Sequence, residues 1–264
     1  MRHSKKANNL TVHLIRHRDD PLLIRGYETL NNYFGGRNEM ETLAVITARL
    51  QWDASENISG YSFHYEMVVI IDEDQGKIAC VGDYSVVLSH QAILNGGAAI
   101  VHLSHIWVDP EQRGAGIVEQ YMNVLTINAA RQSLAKAKLP EDAPITLAAE
   151  MEPYEAGNME RILRLRRFFR AGLLMVDPMA ITYLQPDFRT ATEVDASGGA
   201  VGVPLVLMLR RVGKETERTM PADELHNLIL GLYAMYAQTM RPQDMQVLDD
   251  YQVPNSPVAL LNRI

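Results

Sequence analysis

The sequence predicts an α/β fold: a mixed, mostly antiparallel central sheet flanked by helices, with an extra helix toward the C-terminal end. Three observations carry this. Ser62 to Ile71, Lys77 to Leu88 and Ala98 to Val108 are rich in β-formers, with turns at Asp74-Gln75-Gly76 and Asn95-Gly96-Gly97 between them, so they read as an antiparallel meander. The third stretch stops at Asp109-Pro110, because proline cannot continue a ladder, and passes through Arg113-Gly114-Ala115-Gly116 into a helical pattern. That pattern, Val118, Tyr121, Met122 and Leu125, repeats at three- and four-residue steps.

The remaining elements follow in order. Thr11 to Arg16 is a first strand. Pro21 stands where a helix begins, and Leu22, Leu23, Tyr27 and Leu30 continue it until Gly35-Gly36. Glu39 to Trp52 is a second helical stretch. The helix opened at Gly116 runs to about Lys138, with Lys136 and Lys138 at its negative end and Pro140 beyond. Ile145 to Met151 is a short strand, and Asn158 to Arg170 is a strongly basic helix stopped by Gly172. Leu173 to Val176, Ala180 to Leu184 and Val203 to Val212 are strands. The stretch from Gln185 to Gly202, loosest at Ser197-Gly198-Gly199, reads as a long hairpin connection. Pro221 to Met240 is a closing helix whose Leu225, Leu228, Ile229, Leu232, Met235 and Tyr236 make one apolar stripe. Such a stripe packs on its own domain or on a second copy in a homodimer. The whole reads as a single domain, residues 1–264, with a core over about 10–213 and a helical extension over about 220–264.

Composition narrows the function. The chain is 47% apolar, enough for a sizeable core, and its net charge is −7 with no long basic run, so nucleic acid is not an expected partner. No run of 18 apolar residues marks a membrane span, and the basic opening Met1 to Lys6 lacks the apolar stretch of a signal peptide. Cys80 is the only cysteine, which rules out a disulfide within the chain and fits a reducing cytoplasm. It lies in a strand and is expected to be a small buried apolar residue.

The segment Ala98 to Leu125 carries the chemistry. A strand that ends in a glycine turn and feeds a helix is an anion site by construction. The first helical N–H groups lack partners, and the dipole is positive there. Glycine lets the backbone approach a phosphate, and Arg113 adds a charge-assisted bond. The chain has no GxxxxGK[ST] loop and no GxGxxG after its first strand, so neither common nucleotide fingerprint applies.

The segment resembles motif A of the GNAT superfamily of acyl-CoA-dependent N-acyltransferases. The match is an apolar strand, Val108-x-Pro110, then Arg113-Gly114-Ala115-Gly116-Ile117 opening a helix. Val118 stands where that family has Gly or Ala. The resemblance covers roughly residues 10 to 213, and the element order suits it. It implies transfer of an acetyl or other short acyl group from acetyl-CoA, or another acyl-CoA, to an amine acceptor by direct attack. It also implies that Ile106 and Val108 hold the pantetheine arm with backbone groups, that Arg113 to Val118 hold the pyrophosphate, and that no metal takes part. The acceptor would be a small molecule or a peptide.

Many GNAT enzymes carry a glutamate base eight residues before the V-x-P proline. Here that position is His102, and a histidine's ordinary pKa of about 6.5 suits proton removal near neutrality. The alternative is a polar residue satisfied on a half-buried strand. His105 has the opposite parity, so it is expected on the other face in a structural role. The family's tyrosine acid corresponds to Phe168, which has no proton to give, so Tyr154 is a substitute candidate or the thiolate leaves unassisted. The family's asparagine corresponds to Arg161, with Asn158 one turn earlier. Glu150 and Glu152 end a strand beside the acceptor cleft, either drawing in a cationic amine or standing as ordinary solvated carboxylates. The arginines at 161, 164, 166, 167 and 170 are a solvated face from which some reach the cofactor's 3′-phosphate. Phe168 and Val118 keep a second function open, a non-catalytic acyl-CoA-binding sensor or partner module of the same fold.

Overall fold

The computed structural model describes residues 9–37, 39–113, 116–248 and 254–262. The chain opens with β1 (Leu10–Ile15), α1 (Leu23–Phe34) and α2 (Leu43–Arg49). The meander follows as β2 (Tyr61–Asp72), β3 (Lys77–Ser89), the short α3 (His90–Leu94) and β4 (Ala99–Val108). Next comes a continuous helical rod: α4 (Ile117–Gln120), a π-turn (Tyr121–Leu125) and α5 (Thr126–Lys136). After β5 (Ile145–Met151), α6 (Met159–Arg170), β6 (Leu174–Val176), β7 (Tyr183–Gln185), α7 (Ala191–Ala196) and β8 (Val203–Arg211) complete the body. The closing segment holds β9 (Thr219–Met220), α8 (Ala222–Tyr236), α9 (Pro242–Met245) and β10 (Val258–Leu261).

The strands form one mixed sheet in the order β1-β2-β3-β4-β5-β8-β6-β10-β9, with β7 pairing to β8. Every pairing is antiparallel except β4 with β5, which is parallel from Ala99–Ile145 to Leu103–Ala149. Both faces are covered, which explains why β2 and β3 read as near-continuous apolar runs. On one face Val68, Ile70, Tyr84, Val86, Val101 and Leu147 pack under the helical rod and α6. On the other, Tyr65, Met67, Val69 and Val81 meet α1 and α2, while Phe63, Val87, Ile100 and Ala148 meet α8. Gly82 lets the rod come close: a Cβ there would lie 2.8 Å from the Tyr121 ring, whose O–H donates to the Asp83 carbonyl at 2.9 Å.

The closing helix confirms its stripe. Leu225, Leu228, Ile229, Leu232, Met235 and Tyr236 are all buried against the sheet of the same chain. Its start is tied down by Arg211, which is buried and pairs with Glu224 at 2.7 Å and Glu217 at 2.5 Å.

Several expected boundaries change. The second helix, expected over 39–52, spans only Leu43–Arg49, because the Thr42 hydroxyl accepts from the Val45 N–H at 3.4 Å and starts it there. The basic helix begins at Met159, with Asn158 as its cap, accepting from the Arg161 N–H at 3.2 Å. The 185–202 connection is a hairpin connection between β7 and β8, but it holds α7, nucleated by a Thr190–Glu193 capping box. β9 and β10 were not expected from the sequence. Cys80 is buried, and desolvation pushes its thiol up to about 12, so it sits as an inert apolar residue.

Candidate active site

The site begins with a fault in the sheet. The register of β4 against β3 slips between the pairs Tyr84–Leu103 and Asp83–His105, so Ser104 is the extra residue of a β-bulge. Beyond it β4 stays with β3, whereas β5 leaves β4 and pairs on with β8 through Glu150–Leu207 and Met151–Val206. The two strands part and open a cleft of about 1080 Å³. One wall is Ser104 to Val108, the other Ala149 to Glu152. Among the described residues the edge of β4 past Leu103 has no strand partner on the β5 side, and Ile106 and Val108 of that stretch line the opening.

The rod's start closes one end. Gly116 is left-handed (φ 77°), with open space where a Cβ would be, and it caps α4. Ile117 is buried in the core, Val118 is half-buried, and both line the cleft with Gly116 and the exposed Arg113. Arg113 Nε donates to the Val108 carbonyl at 3.3 Å, tying the turn to the strand end. Gly114 and Ala115 lie outside the described residues.

His102 lies deep in the cleft wall, 3% exposed. Its Nε2 is 3.3 Å from Glu150 Oε2, and its Nδ1 is 3.2 Å from the Ser104 hydroxyl. Glu150 also accepts from the Tyr236 O–H at 2.7 Å, from Gln185 Nε2 at 2.7 Å and from the Tyr183 O–H. Burial alone would raise this carboxyl. The charge of His102 and the hydrogen bonds from His102, Tyr183 and Tyr236 outweigh it and hold Glu150 below its ordinary value. Burial, and then the Glu150 charge, push Tyr183 and Tyr236 well above the usual phenol range, so both remain donors. The arrangement pairs the His102 imidazole with a carboxylate that its neighbours hold ionised.

The bulge overturns the expected placement of His105. An extra residue shifts the alternation, so His105 shares the face of His102, opposite Asp83 two positions from Ser85. Both ring nitrogens of His105 are engaged. Nδ1 meets Asp83 at 2.8 Å and Nε2 meets the Glu39 carbonyl at 2.7 Å. Burial is the largest single influence and opposes its charge, but the charge and hydrogen bond of Asp83, with Glu41 and the Glu39 carbonyl, together raise it to about 9. Behind it, fully buried Arg49 pairs with Glu41 and lies 5.8 Å from the centre of the Tyr236 ring.

The other expected residues distribute unequally. Glu150 is not a solvated carboxylate, because β5 carries it inward. Glu152 lines the cleft but is engaged by Arg161 at 3.0 Å and Arg164 at 2.8 Å. Tyr154 is 51% exposed and is not brought to the cleft. Phe168 lines it, packed on the core. The arginines of α6 are not simply a solvated face: Arg161, Arg164, Arg167 and Arg170 all border the cleft. Sequence pattern alone does not point to Tyr183, Gln185 and Tyr236, the partners of Glu150, or to Asp83, the partner of His105. Tyr236 was visible only as the last member of an apolar stripe, and its hydroxyl was the neglected signal. Among the described residues no cluster of His, Cys, Asp or Glu could hold a metal ion, and no helix is long and apolar enough to cross a membrane.

No family model and no curated protein matches the chain. Among solved structures it is similar to a tandem GNAT protein from the clavulanic acid biosynthesis pathway, at 16% identity and TM-score 0.40, covering 74% of this chain and 52% of that one. It is also similar to a GCN5-related N-acetyltransferase from Sphaerobacter thermophilus, at 14% identity and TM-score 0.35, covering 67% and 48%. The chain spans about half the length of these structures. Both are distant likenesses.

Proposed function

We propose that this protein is an N-acyltransferase that moves an acetyl or other short acyl group from CoA to an amine by direct transfer. One observation carries the reading: the cleft between the parted strands joins a glycine-capped helix start to an aligned histidine–carboxylate pair. The thioester supplies the activated acyl carbon. Arg113 and the rod's first N–H groups suit the pyrophosphate, and the open edge of β4 at Ile106 and Val108 suits the pantetheine arm. Arg167 and Arg170, across the cleft, suit the remaining phosphate. His102 takes the proton that the attacking amine sheds, and Glu150 stabilises the imidazolium that results. Phe168 gives no proton, so the thiolate leaves as the anion.

Gly116→Asp tests the reading. It puts a side chain on a left-handed residue and a carboxylate where phosphate belongs, so calorimetry should show CoA affinity lost. Equal affinity in both proteins would refute the binding site. The binding-module alternative draws on Phe168 and predicts CoA binding with no thiol release over a panel of small amines and peptides.

A further inference from the structure

We propose that Ser104 is the group that meets the acceptor, relaying its proton to His102; this rests on the acyltransferase reading above. The starting point is a mismatch of access. His102 is 3% exposed, with its Nε2 turned toward Glu150 and Tyr236, 3.3 and 3.5 Å away. An acceptor in the cleft therefore has little of the ring to touch. Ser104 is half-buried, lines the cleft, and stands 3.2 Å from the ring's other nitrogen, Nδ1. It is also the bulge residue, out of the β3–β4 pairing, at the point where β4 and β5 part. Bulges beside active sites commonly re-aim one side chain, and here the side chain re-aimed is a hydroxyl.

The tautomer follows from the partners. Glu150 is ionised and accepts, so Nε2 carries the proton and donates to it. Nδ1 is then the lone-pair nitrogen and accepts from the Ser104 O–H. The step balances. The neutral amine attacks the thioester carbonyl, a C–N bond forms and the C–S bond breaks. The nitrogen's surplus proton passes to Ser104 Oγ while the Ser104 hydroxyl proton passes to Nδ1. The serine ends unchanged, His102 ends as imidazolium on Glu150, and the thiolate departs.

The experiment has two arms on the full chain. In the first, Ser104→Ala and Ser104→Thr are compared in thiol-release kinetics with acetyl-CoA and the amine panel. We expect Ser104→Ala to lower kcat about 10²-fold. Its KM for acetyl-CoA should stay within about twofold of wild type, the split expected for a group that acts only in the chemical step. Ser104→Thr should restore most of the rate. Wild-type kcat in Ser104→Ala would overturn the relay, as would an acylated protein mass that appears without amine and vanishes in that variant, since the serine would then be a nucleophile. In the second arm, nitrogen NMR of wild-type protein with no ligand reads the His102 tautomer at the alkaline end of its titration. Protonated Nε2 supports the relay, and protonated Nδ1 overturns it. A wild-type protein that releases no thiol with any amine counts against the acyltransferase reading alone, while the tautomer still decides the Ser104–His102 pair.

Discussion

Glu150 is a carboxylate withdrawn from water and satisfied entirely by side chains that arrive from separate parts of the chain: Tyr183 and Gln185 from β7, Tyr236 from α8 and His102 from β4. Such a group is costly unless every partner is present. Tyr236→Phe removes one hydrogen bond to a charged acceptor, and chemical denaturation should show a loss of about 1.5–3 kcal/mol. Under the proposed function it should also slow acyl transfer, because the pair loses part of its alignment; unchanged stability and rate would show that the hydroxyl is idle. This scale was the hardest to read from the sequence. His102 is legible as a candidate because the Val108-x-Pro110 pattern gives a fixed offset to count from. The Glu150 side chain is buried where a solvated carboxylate is one of two expectations, and Tyr236 packs in the stripe as expected but also meets Glu150, because a hydroxyl on an apolar stripe gives no sign of the carboxylate that will meet it. His105 was misplaced for a simpler reason: alternation holds only while the ladder is unbroken, and the bulge at Ser104 has no signature in residue type.

Local pattern and tertiary structure agree best at the level of elements. The three meander strands and the glycine-opened helix stood out because each has its own punctuation, as did the closing stripe. The short pieces did not. β9 and β10 are two and four residues long, so no period can be counted in them, and the Thr190–Glu193 box that starts α7 stands inside a stretch otherwise rich in turn residues. The closing helix supports a direct prediction. Leu225, Leu228, Ile229, Leu232 and Met235 are buried on the sheet, and each large apolar side chain is worth about 1.5–3 kcal/mol when buried. A chain ended at Thr219 should therefore aggregate or melt at a markedly lower temperature in calorimetry. A truncated protein that stays monodisperse and equally heat-stable would contradict the packing. α8 also supplies Tyr236, so the helix that reads as an appendage in the sequence is part of the site.

For the molecule as a whole, the buried charges set how stability responds to pH. The folded value of His105, about 9, lies above its ordinary 6.5, so its contribution is fully present below pH 6.5 and is lost as pH rises through about 9. Burial works against Asp83, but His105 and Tyr65 hold it below its ordinary 3.8, so its contribution is present above that value and fails as the solution is acidified further. The melting temperature should fall between pH 6.5 and 9, and His105→Gln should flatten that slope; an identical slope in both proteins would exclude the pair as its source. The sheet order has a consequence for the order of events during synthesis. β10 fits between β6 and β9, although roughly eighty residues separate it from β6 along the chain. At 5–20 residues per second a ribosome takes on the order of 4–16 seconds to cover that distance. Throughout that interval β6 presents an open edge, and for most of it the carboxylate of Glu150 waits for the phenol of Tyr236 that α8 will bring. A nascent chain of this protein is thus exposed to wrong strand partners for seconds, and the hydrogen bonds around Glu150 are completed late in its synthesis.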